Sequence, residues 1–320
     1  MNNGVSEIKN NFENNVGDVI FLKTGLTPEK SYQWRNLSQN VYVDPNSSLA
    51  KKISAPTNTL LWVARTSQFG ATQINSVAYG NGLWVAGGNT GQIRTSTDAV
   101  TWVTQTSTFG TTQINSVAYG NGLWVAAGLS GQIRTSTNAV VWVTSTSNLG
   151  TTTILSLFYG NGLWVAGAGV GQLRTSTDAV TWVTRDSTFG TSSVTSVSYG
   201  NGLWVAGGVG GQLRTSTDAI TWVTQVSTFG NSNINSVDYR NGMWVAGGKS
   251  GQLRTSTDAV TWVTQTSQFG TSVIYSIAYG NGLWVAGGFS GTIRTSINAV
   301  NSRVMPTPLT FSAVSGWYVQ

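Results

Sequence analysis

Tyr79-Gly80-Asn81-Gly82-Leu83-Trp84-Val85-Ala86-Gly87-Gly88 is the stretch whose reading decides the fold, because it returns with its Tyr at 119, 159, 199, 239 and 279. Six copies at a spacing of 40 residues are a structural repeat. The fifth copy departs slightly, reading Tyr239-Arg240-Asn241-Gly242-Met243-Trp244. A second phrase travels with the first, Arg94-Thr95-Ser96-Thr97-Asp98-Ala99-Val100-Thr101-Trp102. A repeat unable to bury its own apolar face must stack on its neighbours, so the period sets the architecture before any single residue does.

Each unit divides into four strand-like pieces. Ile74 to Tyr79 alternates, and Gly80-Asn81-Gly82 supplies a turn of the kind that takes positive φ. Leu83 to Gly87 follows, then a Gly-rich loop ending at Gly91, then Gln92 to Ser96. Thr97 to Val100 turns the chain into Thr101 to Thr104, and Phe109-Gly110 starts the link to the next unit. Four short antiparallel strands in about 40 residues is the period of a propeller blade. The expected fold is therefore all-β, a six-bladed β-propeller of four-stranded blades.

Counting the pieces predicts the closure. The first three strands occur six times, and the fourth-strand Trp occurs at Trp102, Trp142, Trp182, Trp222 and Trp262. One more stands ahead of the first repeat, in Leu60-Leu61-Trp62-Val63-Ala64, whereas position 302, where the series would continue, is Ser302. An N-terminal strand around Trp62 is thus expected to complete the last blade and remove an exposed sheet edge. The organisation that follows is a non-repeating arm or adaptor over 1–57, the propeller over 58–300 and a tail over 301–320. The tail carries Pro306, Pro308 and Trp317 and is apolar enough to pack on the ring or on a neighbouring subunit.

Composition narrows the chemistry. The chain has 320 residues, 39 Gly, 14 Trp, neither Cys nor His, and a net charge of +6. Without His or Cys it has no Ser-His-Asp arrangement, no thiol nucleophile and none of the commonest metal ligands. No Glu follows Glu29, and the Asp residues at 98, 178, 218 and 258 are equivalent turn positions on separate blades, so they do not converge as an acid/base pair. The expectation is a protein that is not an enzyme, with no catalytic residue, no metal site and no cofactor. No apolar run reaches the roughly 20 residues that span a bilayer. The start, Met1-Asn2-Asn3-Gly4-Val5-Ser6-Glu7, has no secretory signal character.

One Arg per repeat, at Arg94, Arg134, Arg174, Arg214, Arg254 and Arg294, holds most of the excess charge. These side chains are candidate inter-blade binding groups for anions or sugars. The competing reading has each one bonded to the nearby Asp or to a neighbouring blade's carbonyls, its stem covering Trp. Charges spread one per blade, rather than clustered with free aromatics, argue against nucleic acid. The copies disagree mainly in the loop between strands two and three. Asn89 there becomes Leu129, Gly169, Val209, Lys249 and Phe289. The links from each fourth strand to the next blade vary as well. In a four-strand meander these two kinds of connection share one side, so one side is uniform and the other diversified. Drift at tolerant loop tips explains that as readily as recognition does. Under recognition, Leu129, Val209, Lys249 and Phe289 are the candidate contacts.

Ser96-Thr97-Asp98-Ala99-Val100-Thr101-Trp102 resembles a shortened Asp-box, with Ala in place of its Gly and with Asn138 and Asn298 in place of Asp in two copies. Together with Tyr-Gly-Asn-Gly-Leu-Trp-Val-Ala-Gly-Gly, it resembles the repeats of propeller proteins from tailed bacteriophages and some bacteria, over about residues 58–300. That resemblance implies a virion part (fibre, neck or tail component) displayed for host contact, made in the host cytoplasm and built into an oligomeric assembly. Residues 1–57 would then face other virion proteins, and a host-surface glycan or receptor would be the external partner. A carbohydrate-binding lectin and a bacterial protein-interaction scaffold are the alternatives.

Overall fold

The computed structural model describes residues 68–280, 283–296 and 299. Trp62, the arm over 1–57 and the tail over 301–320 lie outside them. The chain is an all-β, six-bladed β-propeller. Blade 1 is made of Ile74–Gly80, Leu83–Gly88, Ile93–Ser96 and Val103–Gln105, paired in sequence order and antiparallel throughout. The next four blades repeat this at intervals of forty residues. Blade 6 shows three strands, Ile274–Gly280, Leu283–Gly288 and Ile293–Ser296, its fourth position falling outside the described residues. First strands of successive blades lie against one another, which places them nearest the axis.

Local chemistry explains the strand ends. Gly80 pairs with Leu83, so Asn81 and Gly82 alone form the hairpin loop, with φ of +48° and +74°. Both central residues at positive φ is the type I′ turn, whose twist suits antiparallel strands. Gly80 has a different reason to be glycine. A Cβ there would lie 2.3 Å from the Tyr119 ring of the next blade. The link into the next blade is tied down by Ser107, whose Oγ donates to the Gly91 carbonyl and accepts from the Phe109 N–H at 3.2 Å.

Blades are joined by apolar clusters drawn from equivalent positions. Between blades 1 and 2 the cluster is Val85, Ile93, Phe109, Ile114, Val117, Trp124, Ala126, Ala139 and Trp142, all buried. Its equivalents follow at the next four interfaces. Polar groups complete each contact. Ser76 Oγ accepts the Val117 N–H at 3.0 Å, and Asn75 Nδ2 donates to the Ile114 carbonyl at 2.8 Å. The serine bond recurs from Leu157, Val197, Val237 and Ile277 to Ser116, Ser156, Ser196 and Ser236. These bonds satisfy backbone groups on the inner edge of each sheet, which has no further strand to pair with. At the sixth interface the two faces stand exposed. Val77 is 51% exposed where its equivalent Val197 is 3%. No atom lies within 4 Å of a Cβ built on Gly287, whereas one on Gly87 would meet Ile114 at 2.8 Å.

Candidate binding face

The diversified positions sit on a short, rigid support. The loop between the second and third strands is a single 3-10 turn, Asn89–Gly91 in blade 1, and it returns at Leu129–Gly131, Val209–Gly211, Lys249–Gly251 and Phe289–Gly291. Each turn is fixed at both ends. Asn89 N–H donates to the Gln73 carbonyl at 3.0 Å and Gly88 N–H to the Gln92 carbonyl at 3.1 Å, with the same pair in every blade. Gln73 belongs to the link entering the blade, so the two variable connections are hydrogen-bonded on one side of the molecule. Gly91, at φ +67°, packs so tightly on the link leaving the blade that a Cβ would lie 2.3 Å from the Gly110 carbonyl oxygen. The scaffold of the turn is therefore invariant, and its first residue is free to vary.

Of the four positions singled out from sequence, Leu129 is 37% and Phe289 56% exposed, Lys249 is exposed and Val209 half-buried. They stand one to a blade. Val170 belongs with them and was not legible as such. It is 56% exposed and adopts φ +47°, a left-handed conformation rare for a β-branched residue. Blade 3 places Gly169 at the varied position, so its side chain comes from the next residue instead.

The Arg series is placed elsewhere. Arg94, Arg134, Arg174, Arg214 and Arg254 are 7–8% exposed. Arg134 Nη1 donates to the Ile133 carbonyl at 3.0 Å, and its Nη2 donates to the Thr108 carbonyl and to Gln132 Oε1, both at 3.0 Å. Its guanidinium lies 4.8 Å from the Phe109 ring centre. Arg294 keeps the backbone bonds, from Nε to the Gln268 carbonyl and from Nη1 to the Ile293 carbonyl. The partners are thus carbonyls, as one branch of the sequence reading had it, with a Gln and a Phe where the other branch had the Asp and the covered Trp. Burial lowers the pKa of the five buried guanidinium groups, which stay charged at pH 7 because the ordinary value is so high. Two departures stand out. Arg94 and Arg174 each have a buried Nε with no hydrogen-bond partner, because Gln68 and Asn148 replace the Thr whose hydroxyl accepts from Nε at Arg134, Arg214 and Arg254.

The opposite side carries the Asp turns. Asp98 Oδ1 accepts from the Val100 and Thr101 N–H groups at 2.8 and 2.7 Å and from Ser96 Oγ at 2.9 Å. Those bonds, the Thr101 N–H first, hold the Asp98 carboxyl down at about 2. Asn138 Oδ1 accepts from the equivalent N–H groups at 2.9 and 3.0 Å, which is why Asn substitutes for Asp there. Asp178, Asp218 and Asp258 are held low by the same kind of bonds. Each is committed to its own turn. Among the described residues no group of three His, Cys, Asp or Glu could hold a metal, and no helix is long and apolar enough to cross a membrane.

A propeller with one uniform and one varied side is the class this geometry defines. No family model matches the chain, and no curated protein matches it. Solved structures do. YCF48 from Cyanidioschyzon merolae is similar over 69% of this chain and 81% of its own, at TM-score 0.56 and 16% identity. YCF48 bound to D1 peptide is similar over 71% and 77%, at TM-score 0.59 and 16% identity. The computationally designed Ika8 protein is similar over 72% and 86%, at TM-score 0.51 and 14% identity. At such identities the likeness is one of fold.

Proposed function

We propose that this chain is a non-enzymatic binding module of a tailed-bacteriophage virion, presenting its varied side to a partner on the host surface. The observation that carries the reading is the division of the repeat. Core, turn and inter-blade residues are held nearly constant over six copies, while one position per blade runs through Asn89, Leu129, Gly169, Val209, Lys249 and Phe289. The constant residues hold that position at the tip of a rigid turn, a placement that favours side-chain recognition. A propeller of this fold has been solved with a bound peptide, which supports the use of such a scaffold for binding. Residues 1–57, outside the described residues, are proposed to attach the propeller to other virion proteins.

The lectin reading is weaker in its inter-blade form, because the Arg groups it needs are buried and bonded to backbone carbonyls. A glycan partner on the varied side fits the proposal equally well. The test is binding of the full chain to an array of purified bacterial surface polysaccharides, beside a Leu129→Ala/Lys249→Ala/Phe289→Ala variant. Binding that falls at least tenfold in the variant is expected. Binding that the variant leaves unchanged contradicts the reading, and a blank array contradicts its glycan form.

A further inference from the structure

Charge is divided between the two sides of the propeller. Every Arg of the series donates to a link carbonyl 26 residues earlier in the chain, at 2.7–3.1 Å, from Arg94 to Gln68 through Arg294 to Gln268. The links lie on the varied side, so the guanidinium groups form a layer directly beneath it. Lys249 stands above that layer and is exposed. Among the described residues none of these cations has a carboxylate partner, and the one ion pair is Arg240 with Asp238 at 3.7 Å, beside the blade 5 hairpin on the uniform side. Asp186 is the one described carboxylate near a link, where its Oδ1 accepts the Thr188 N–H at 3.0 Å, and Arg185 next to it in the chain offsets its charge. The uniform side has the opposite sign. It carries Asp98, Asp178, Asp218 and Asp258, and its one described cation, Arg240, is already matched by Asp238.

Bonds to carbonyls satisfy the guanidinium donors but leave each unit charge in place. A buried charge without a counter-ion is screened little by salt, and its field leaves through the nearest surface, here the varied side. What a ligand touches on that side is mostly neutral. Thr111, Thr151, Thr191, Asn231 and Thr271 are exposed on the links. A coat of hydroxyl and amide groups over a layer of buried cations suits a ligand with many hydroxyls and a negative charge. We infer that the varied side binds an acidic polysaccharide. Nucleic acid is held by cations that reach its phosphates, and the guanidinium groups of five blades are only 7–8% exposed. This rests on the host-binding reading and adds the class of ligand.

Polygalacturonate, and the same polymer with its carboxylates reduced to alcohols, test this on the full chain. Binding of polygalacturonate at about 20 mM NaCl is expected, weaker by at least about tenfold at about 200 mM. The carboxyl-reduced polymer should not bind. Two double variants separate the side from the net charge. Leu129→Glu/Phe289→Glu places two carboxylates on the varied side and should lower the affinity at least tenfold. Val100→Glu/Val140→Glu makes the same change in net charge at exposed positions of the uniform-side turns and should leave it within about twofold. Equal loss in both variants, or no binding of polygalacturonate at low salt, overturns the inference. Duplex DNA bound as tightly as polygalacturonate overturns it too, giving the charged side to nucleic acid. Binding of the reduced polymer as tight as that of the acid, lost in Leu129→Glu/Phe289→Glu, overturns the acidic class and leaves the host-binding reading standing.

Discussion

Gly160 shows what single residues do here. It is followed by a left-handed Asn161-Gly162 pair, and its own backbone is ordinary; the Tyr199 side chain of the next blade comes to within 2.7 Å of where a Cβ would stand. Gly160→Ala should therefore destabilise the protein by roughly 1–3 kcal/mol through overpacking, read from chemical denaturation. Blade 5 carries Arg240 at this position, and the next tyrosine, Tyr279, lies 5.1 Å from its Trp284, against 4.7–4.9 Å in the other blades. The turn aspartates make the acid limb of stability. Their folded pKa is lowered, so the stability they add is present above the unfolded value of about 3.9 and is lost as pH falls through about 2 for Asp98 and Asp258. Replacing Asp98, Asp178, Asp218 and Asp258 by Asn, the residue blade 2 already uses, should flatten the melting midpoint between about pH 4 and pH 2. Asp238 has the opposite sign. Burial raises its pKa despite Arg240 at 3.7 Å, so it penalises the fold above that pKa and the penalty fades as pH falls. Asp238→Ala, the residue of blades 1, 2 and 6, should raise the midpoint at pH 7.

At the scale of elements, strand pairing within a blade is only half of the fold; the other half is how a blade meets the next. Leu157 N–H is buried and its acceptor is Ser116 Oγ, one blade earlier. Ser116→Ala leaves that N–H without a partner and should cost about 1–3 kcal/mol, with loss of amide protection at Leu157 in hydrogen exchange. Trp182→Ala empties an inter-blade site and should cost more, roughly 3–5 kcal/mol. The strands themselves were legible, since Tyr-Gly-Asn-Gly-Leu-Trp states its own hairpin and the copies repeat it. The side-to-side bonds were not. Asn75 and Ser76 read as ordinary polar residues of a strand, and only the placement of Ile114 and Val117 beside them reveals the donor and the acceptor. The Arg series was legible in its carbonyl bonds and not in its ring contact, for a related reason. Its Phe lies 25 residues earlier, at Phe109 for Arg134, a distance at which spacing along the chain says nothing about contact.

The whole molecule is a sum of near-identical interfaces, and its stability should follow nearest-neighbour terms. The number of blades was legible because a period needs no three-dimensional information. Which connections share a side was legible from the meander. What the varied side presents was legible only in part. Leu129, Lys249 and Phe289 stand out by their difference from the other copies, whereas Val170 depends on a left-handed backbone that the residue type argues against. Hydrogen exchange of the full chain, alone and with whichever bacterial surface polysaccharide it binds, tests the division of roles between the two sides most directly. The account expects protection at the 3-10 turns, 129–131, 209–211, 249–251 and 289–291, and at the links beside them. Protection confined to the Asn-Gly hairpins and the Asp98, Asp178, Asp218 and Asp258 turns on the uniform side would contradict it.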